Sequence, residues 1–138
     1  MESNPAPAAK SPLRYVTAGI RILLGFAFLV FGLNGFLNFF PPPPVLPDFI
    51  VALMKTGYMI QLLSAAELVS GIFLLINRFV PLALALLAPI LVNIVAYHVF
   101  LDHNGMPPGL VLCFFEVYLA WAYRNAFCPM LAARVTPA

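Results

Sequence analysis

Charge is the scarcest property of this sequence: Asp, Glu, Lys and Arg supply 9% of its 138 residues, against about 25% in ordinary soluble domains. With 63% hydrophobic residues, the chain cannot cover a water-soluble fold with polar surface. Seven basic and five acidic residues leave a formal charge of +2, which provides no basic stripe to track a phosphate backbone and excludes nucleic acid as a partner. Cysteine is equally sparse. Cys113 and Cys128 cannot build a disulfide framework and lack the CxxC spacing of thiol oxidoreductases and zinc sites. Along one helix they would lie ~22 Å apart, far beyond disulfide reach. Histidine is limited to His98 and His103, too close in sequence to face each other across a b-type haem. No GxSxG, HExxH, P-loop or Rossmann fingerprint is present, so neither a catalytic residue nor a metal site is assigned.

Long hydrophobic runs are what the sequence has in abundance, and they predict an all-α, integral membrane four-helix bundle. Residues 1–13 are small, polar and proline-bearing, and read as a flexible tail. The first span runs from Val16 to about Phe40, long enough for a ~30 Å hydrocarbon layer. It is too long for a signal-peptide core and ends in prolines, which predicts a retained helix. Pro41 to Pro44 and Pro47 impose a stiff extended connector. Phe49, Ile50, Leu53 and Met54 recur at helical spacing between Asp48 and Lys55, the pattern of a short interfacial helix between spans one and two. Further spans are expected over 57–76, 79–101 and 109–127, with a tight link at Asn77 and Arg78, a turn over 102–108, and a stop at Pro129. The membrane domain is thus 14–128, followed by a tail over 129–138.

Four spans put Lys10, Arg14, Arg21, Arg78, Arg124 and Arg134 on one side and Lys55 alone on the other. The positive-inside rule then predicts both termini in the cytoplasm.

Ionisable groups at bilayer depth require a reason to be there. Glu67 lies ~15 Å inside span two and Glu116 ~10 Å inside span four. At 100° per residue Ser64, Glu67 and Gly71 share a stripe, with Gln61 at its edge; Gly109, Glu116, Ala120 and Tyr123 share another, and Pro89, Asn93 and Tyr97 a third. Asn34 and Asn38 line one side of span one, opposite Arg21, Gly25 and Gly32. Small residues at such seams let helices approach closely in lipid. Arg21 reads as a snorkelling anchor, and His98 as an interfacial residue well around the helix from Asn93. Together Asn34, Gln61, Ser64, Glu67, Asn93, Tyr97, His98 and Glu116 outline an outward-opening polar cavity that binds a ligand or handles a proton.

Several segments resemble the DoxX family of small four-helix membrane proteins: GFAFLVFGLNGFLNF (25–39), AAELVSGIFLL (65–75), RFVPLA (78–83) and EVYLAWAYR (116–124). The Ala66, Glu67 and Gly71 element is the most telling. The resemblance implies a bacterial cytoplasmic-membrane protein and a four-helix bundle. It implies little about activity, because the family is diverse: some members resemble a subunit of a thiosulfate:quinone oxidoreductase, others an envelope redox-stress complex with a superoxide dismutase, and eukaryotic relatives act as cargo receptors or receptor-assembly chaperones. Members often carry a charge near the end of the first helix, where this chain has Asn34.

Two functions follow. The first is a non-catalytic module without a cofactor, binding a lipophilic small molecule or a partner membrane protein amid membrane lipid, with a homo-oligomer as one form of that partner. The alternative is a quinone-interacting subunit of a membrane oxidoreductase, with Glu116 or Glu67 exchanging the proton and His98 or Tyr97 touching the quinone head. A permeation path ranks last, because the cytoplasmic half of the bundle offers no polar route.

Overall fold

The computed structural model describes residues 11–137, and these are helical with no strand among them. The expected flexible tail lies, as far as residue 10, outside the described residues. Helix α1 spans Pro12–Leu37. It starts ahead of the expected span because Ser11 Oγ accepts from Leu13 N at 3.3 Å and Pro12 occupies the first turn, where no amide donor is needed. It ends at Asn38 in the left-handed conformation, φ 50°. Beyond it Asn34 Oδ1 accepts from Phe40 N at 2.8 Å and turns the chain into the proline tract.

Helix α2 is Asp48–Lys55, with an acid in its first turn and a base in its last, both matched to the helix dipole. A 96° corner separates it from α3, Met59–Leu75. Thr56 builds that corner: its hydroxyl donates to the Leu53 carbonyl at 2.6 Å and accepts from Met59 N at 3.0 Å. Helix α4 is Val80–Phe100 and α5 is Met106–Ala122. Pro107 and Pro108 belong to the first turn of α5 rather than to the preceding turn, because a helix start tolerates the missing amide. The last span stops at Ala122 instead of near Phe127; Tyr123 leaves helical geometry at φ −98°, ψ 16°, and a separate short α6, Arg124–Phe127, follows.

The long helices alternate in direction, α1 packing on α3 and α5, and α4 on α3 and α5. The core is a thin strip of Leu24, Phe28, Leu74, Val80, Ala83, Leu84, Leu87, Leu91 and Leu119. Large apolar side chains such as Phe26, Phe31, Leu62, Val92 and Phe114 point outward. Three segments, α1, α4 and His103–Ala122, are long and apolar enough to cross a membrane, and α2 with α3 makes a fourth if the bent pair is one span.

The tightest contact joins α1 to α3. A Cβ on Gly32 would sit 2.6 Å from Leu68 N and 2.8 Å from the Ser64 carbonyl, and one on Gly71 would sit 2.6 Å from Leu29 N. These are backbone atoms that cannot swing aside. At the end where α1 begins, Arg21 is buried and its Nη1 donates to the Leu74 carbonyl and, at 3.5 Å, to that of Leu75. The expected snorkelling anchor is therefore a side chain turned inward onto the C-terminus of α3. That terminus leaves carbonyls unpaired in the helix, and its dipole favours a cation. The remaining closure is a Schellman motif: Asn77 adopts φ 56° and Arg78 N donates to the Phe73 carbonyl at 3.0 Å.

Gly32→Ala is expected to destabilise the protein by about 1–3 kcal/mol through overpacking. Gly19→Ala, which meets nothing within 4 Å, should leave stability equal or slightly raised. Thermal unfolding of the detergent-solubilised protein measures both, and equal melting temperatures for the two variants would contradict the close-approach account. In the same assay Arg21→Gln should lose about 1.5–3 kcal/mol, the range for hydrogen bonds to a charged group.

Candidate functional site

A cleft of about 440 Å³ lies between α2, α3 and α4 at the end of the fold where α1 finishes. The corner at Thr56 swings α2 across this end, so Phe49, Ile50 and Leu53 form one wall. Ile60 and Leu63 of α3 form the floor, and α4 supplies the opposite wall from Pro89 to His98. Phe49 packs on Tyr97 with ring centroids 5.6 Å apart, and Tyr97 meets His98 edge-on at 5.1 Å. Pro89 lacks the amide that would bond the Ala85 carbonyl, and this loosened turn of α4 borders the cleft.

Polar groups enter only from α4. Asn93 and Tyr97 lie one turn apart, and His98 joins them although it stands well around the helix. The sequence stripe placed Pro89, Asn93 and Tyr97 at an interhelical seam. The core face of α4 is instead Val80, Ala83, Leu84, Leu87 and Leu91, and the polar stripe faces α2. His98 Nδ1 lies 2.8 Å from the Asp102 carbonyl. A carbonyl only accepts, so Nδ1 carries the proton, and in the neutral ring Nε2 is an acceptor. Gly105 and Gly109 at the start of α5 leave room for this imidazole: a Cβ on Gly105 would overlap it, and one on Gly109 would touch it at 3.5 Å.

The carboxylates stand apart from this cleft. Glu67 and Glu116 are both buried, at 7% and 6% exposure, and neither lines this cleft or the one between α1 and α5. Glu67 lies ~12 Å from the start of α3 and Glu116 ~15 Å from the start of α5, so they occupy similar levels. Their helices pack chiefly on α1 and α4 rather than on each other. Glu116 Oε2 is buried without a hydrogen-bond partner, as is Ser70 Oγ on the face of α3 that carries Glu67. Ser64 is buried against Gly35 of α1. Asn34 is half-buried at the exit of α1, and Gln61 is exposed.

The eight expected residues thus separate by place. Asn93, Tyr97 and His98 share the lateral cleft; Ser64, Glu67 and Glu116 lie in the interior; Asn34 shapes a loop and Gln61 faces outward. Among the described residues, no three His, Cys, Asp or Glu side chains gather as metal ligands. Sequence reading missed Ser70, although its i+3 spacing from Glu67 continues the buried stripe, and it missed the apolar wall that α2 contributes.

Gly105→Ala should drive the His98 ring off the Asp102 carbonyl. The expected readout is a changed imidazole nitrogen spectrum for His98 with helicity retained, and an unchanged spectrum would contradict the contact. Compared with known protein families, curated proteins and solved structures, this chain matches none of them.

Proposed function

We propose that this chain is a DoxX-like, four-span membrane protein of the bacterial cytoplasmic membrane that binds a lipophilic small molecule without transforming it. The lateral cleft carries this reading: an apolar pocket of about 440 Å³ with its polar groups confined to one wall suits a hydrophobic ligand with a polar head. Asn93, Tyr97 and His98 hydrogen-bond the head, while Phe49, Ile50, Leu53 and Ile60 cover the apolar body. Glu67, Glu116 and Ser64 are buried in the interior, apart from the cleft. A quinone falls within the chemical class the cleft accepts, and the Phe49–Tyr97 pair favours a ring-bearing head over a plain acyl chain.

In this arrangement α1, α3, α4 and α5 cross the bilayer and α2 lies in the interface. Helix α3, at 17 residues, reaches only ~25 Å, so the bilayer thins locally or the corner at Thr56 enters the headgroup layer. Arg14, Arg21, Arg78 and Arg124 gather at the opposite end from Lys55, which supports cytoplasmic termini.

Native mass spectrometry of the gently extracted protein should reveal a bound lipophilic molecule, and Leu53→Trp, which fills the cleft from its α2 wall, should remove it. A wild-type protein without the adduct, or a variant that keeps it, would overturn the proposal. For topology, a cysteine at His103 in a cysteine-free background should react with an impermeant maleimide on intact cells, whereas one restored at Cys128 should react only after permeabilisation.

A further inference from the structure

A second cleft, of about 540 Å³, opens at the end where α1 begins, between the first turns of α1 and the last turns of α5. On its wall Thr17 Oγ1 and Tyr118 OH share a 3.0 Å hydrogen bond that ties α1 to α5. Three arginines are among its lining residues: Arg14 on α1, Arg124 at the start of α6, and the buried Arg21. Arg21 is 8% exposed. Its Nη1 is engaged by the carbonyls at the end of α3, which satisfy donors but carry no countercharge. Arg124 donates to the Trp121 carbonyl at 3.0 Å and stacks over the Trp121 ring at 4.9 Å. No Asp or Glu is among the residues lining the cleft.

Among the described residues, positive charge is therefore concentrated here with no acidic side chain lining the cleft. Guanidinium forks match phosphate oxygens bidentately. Tyr118, Trp121 and Tyr123 surround the cleft with rings of the kind that settle at headgroup level. From Trp121 the exposed residues Val117 and Phe114 continue along one face of α5, an apolar track leading away from the charged mouth.

We propose that this cleft seats the phosphate of an anionic membrane lipid, with Arg14, Arg21 and Arg124 around the phosphate and an acyl chain along Trp121, Val117 and Phe114. The inference rests on the reading that the chain spans a membrane with this end at headgroup level, and it adds a site separate from the ligand cleft. Arg21 belongs to both features: its guanidinium closes α3 and the residue lines the cleft.

The single tryptophan, Trp121, is the probe. The full-length protein in phosphatidylcholine nanodiscs should show stronger Trp121 quenching by brominated phosphatidylglycerol than by brominated phosphatidylcholine at equal mole fraction. The preference should fall about fivefold for each exposed arginine removed, from about 1 kcal/mol per basic residue near an anionic surface. Arg14→Gln with Arg124→Gln should therefore bring the two lipids close to parity. Comparing the two brominated lipids within each variant cancels any change in emission caused by losing the Arg124 stack. Equal quenching by the two lipids in the wild type would overturn the proposal. Inorganic phosphate that binds saturably and abolishes the preference for brominated phosphatidylglycerol would make the occupant a free anion and overturn the lipid assignment. Absence of quenching by either lipid would overturn the membrane reading, and this site with it.

Discussion

Backbone-to-backbone contact between α1 and α3 is the constraint on which the other elements depend. In the hydrocarbon proposed around these helices, apolar side chains gain little by leaving their surroundings, so helices adhere through dispersion at close range and through polar bonds. Gly32 and Gly71 bring the two backbones within that range. Arg21 fastens one end of the pair through the α3 carbonyls. Once α1 and α3 are fixed, the tight link at Asn77 returns α4 alongside α3, and α5 closes against both α1 and α4. The buried strip of leucines then fills a narrow space whose width the glycines have set.

Polar residues follow the same geometry. Within the packed interior the fold buries Ser64, Glu67, Ser70 and Glu116, while the lateral cleft takes Asn93, Tyr97 and His98. The separation has a physical origin. Interior seams accept only what small neighbours make room for, whereas the cleft exists because α2 leaves α3 at a right angle and cannot pack flat. Polar side chains on the face of α4 toward α2 therefore border open space instead of another helix.

Helix identity was legible in the sequence because hydrophobic runs of this length have few alternatives and prolines mark their ends. Boundaries were less so: Pro12, Pro107 and Pro108 sit inside first turns, where proline is as acceptable as in a loop. Burial of Ser64, Glu67 and Gly71 followed from 100° periodicity. The inward turn of Arg21 did not, since a basic residue a few turns from a helix start reads equally as a snorkelling side chain; only the nearness of the α3 terminus decides. The grouping of His98 with Asn93 depended on the direction of α2, which no local pattern encodes.

The corner at Thr56 has a mechanical meaning. Helix α2 has no buried residue, so one wall of the lateral cleft hangs from two hydrogen bonds to a threonine hydroxyl and from the contact of Phe49 with Tyr97. Under the proposed binding role, a guest of different girth would be met by tilting this eight-residue helix while the leucine strip keeps its shape. In that role, selectivity would come from the α4 side, where the heteroatoms are, and tolerance of bulk from α2.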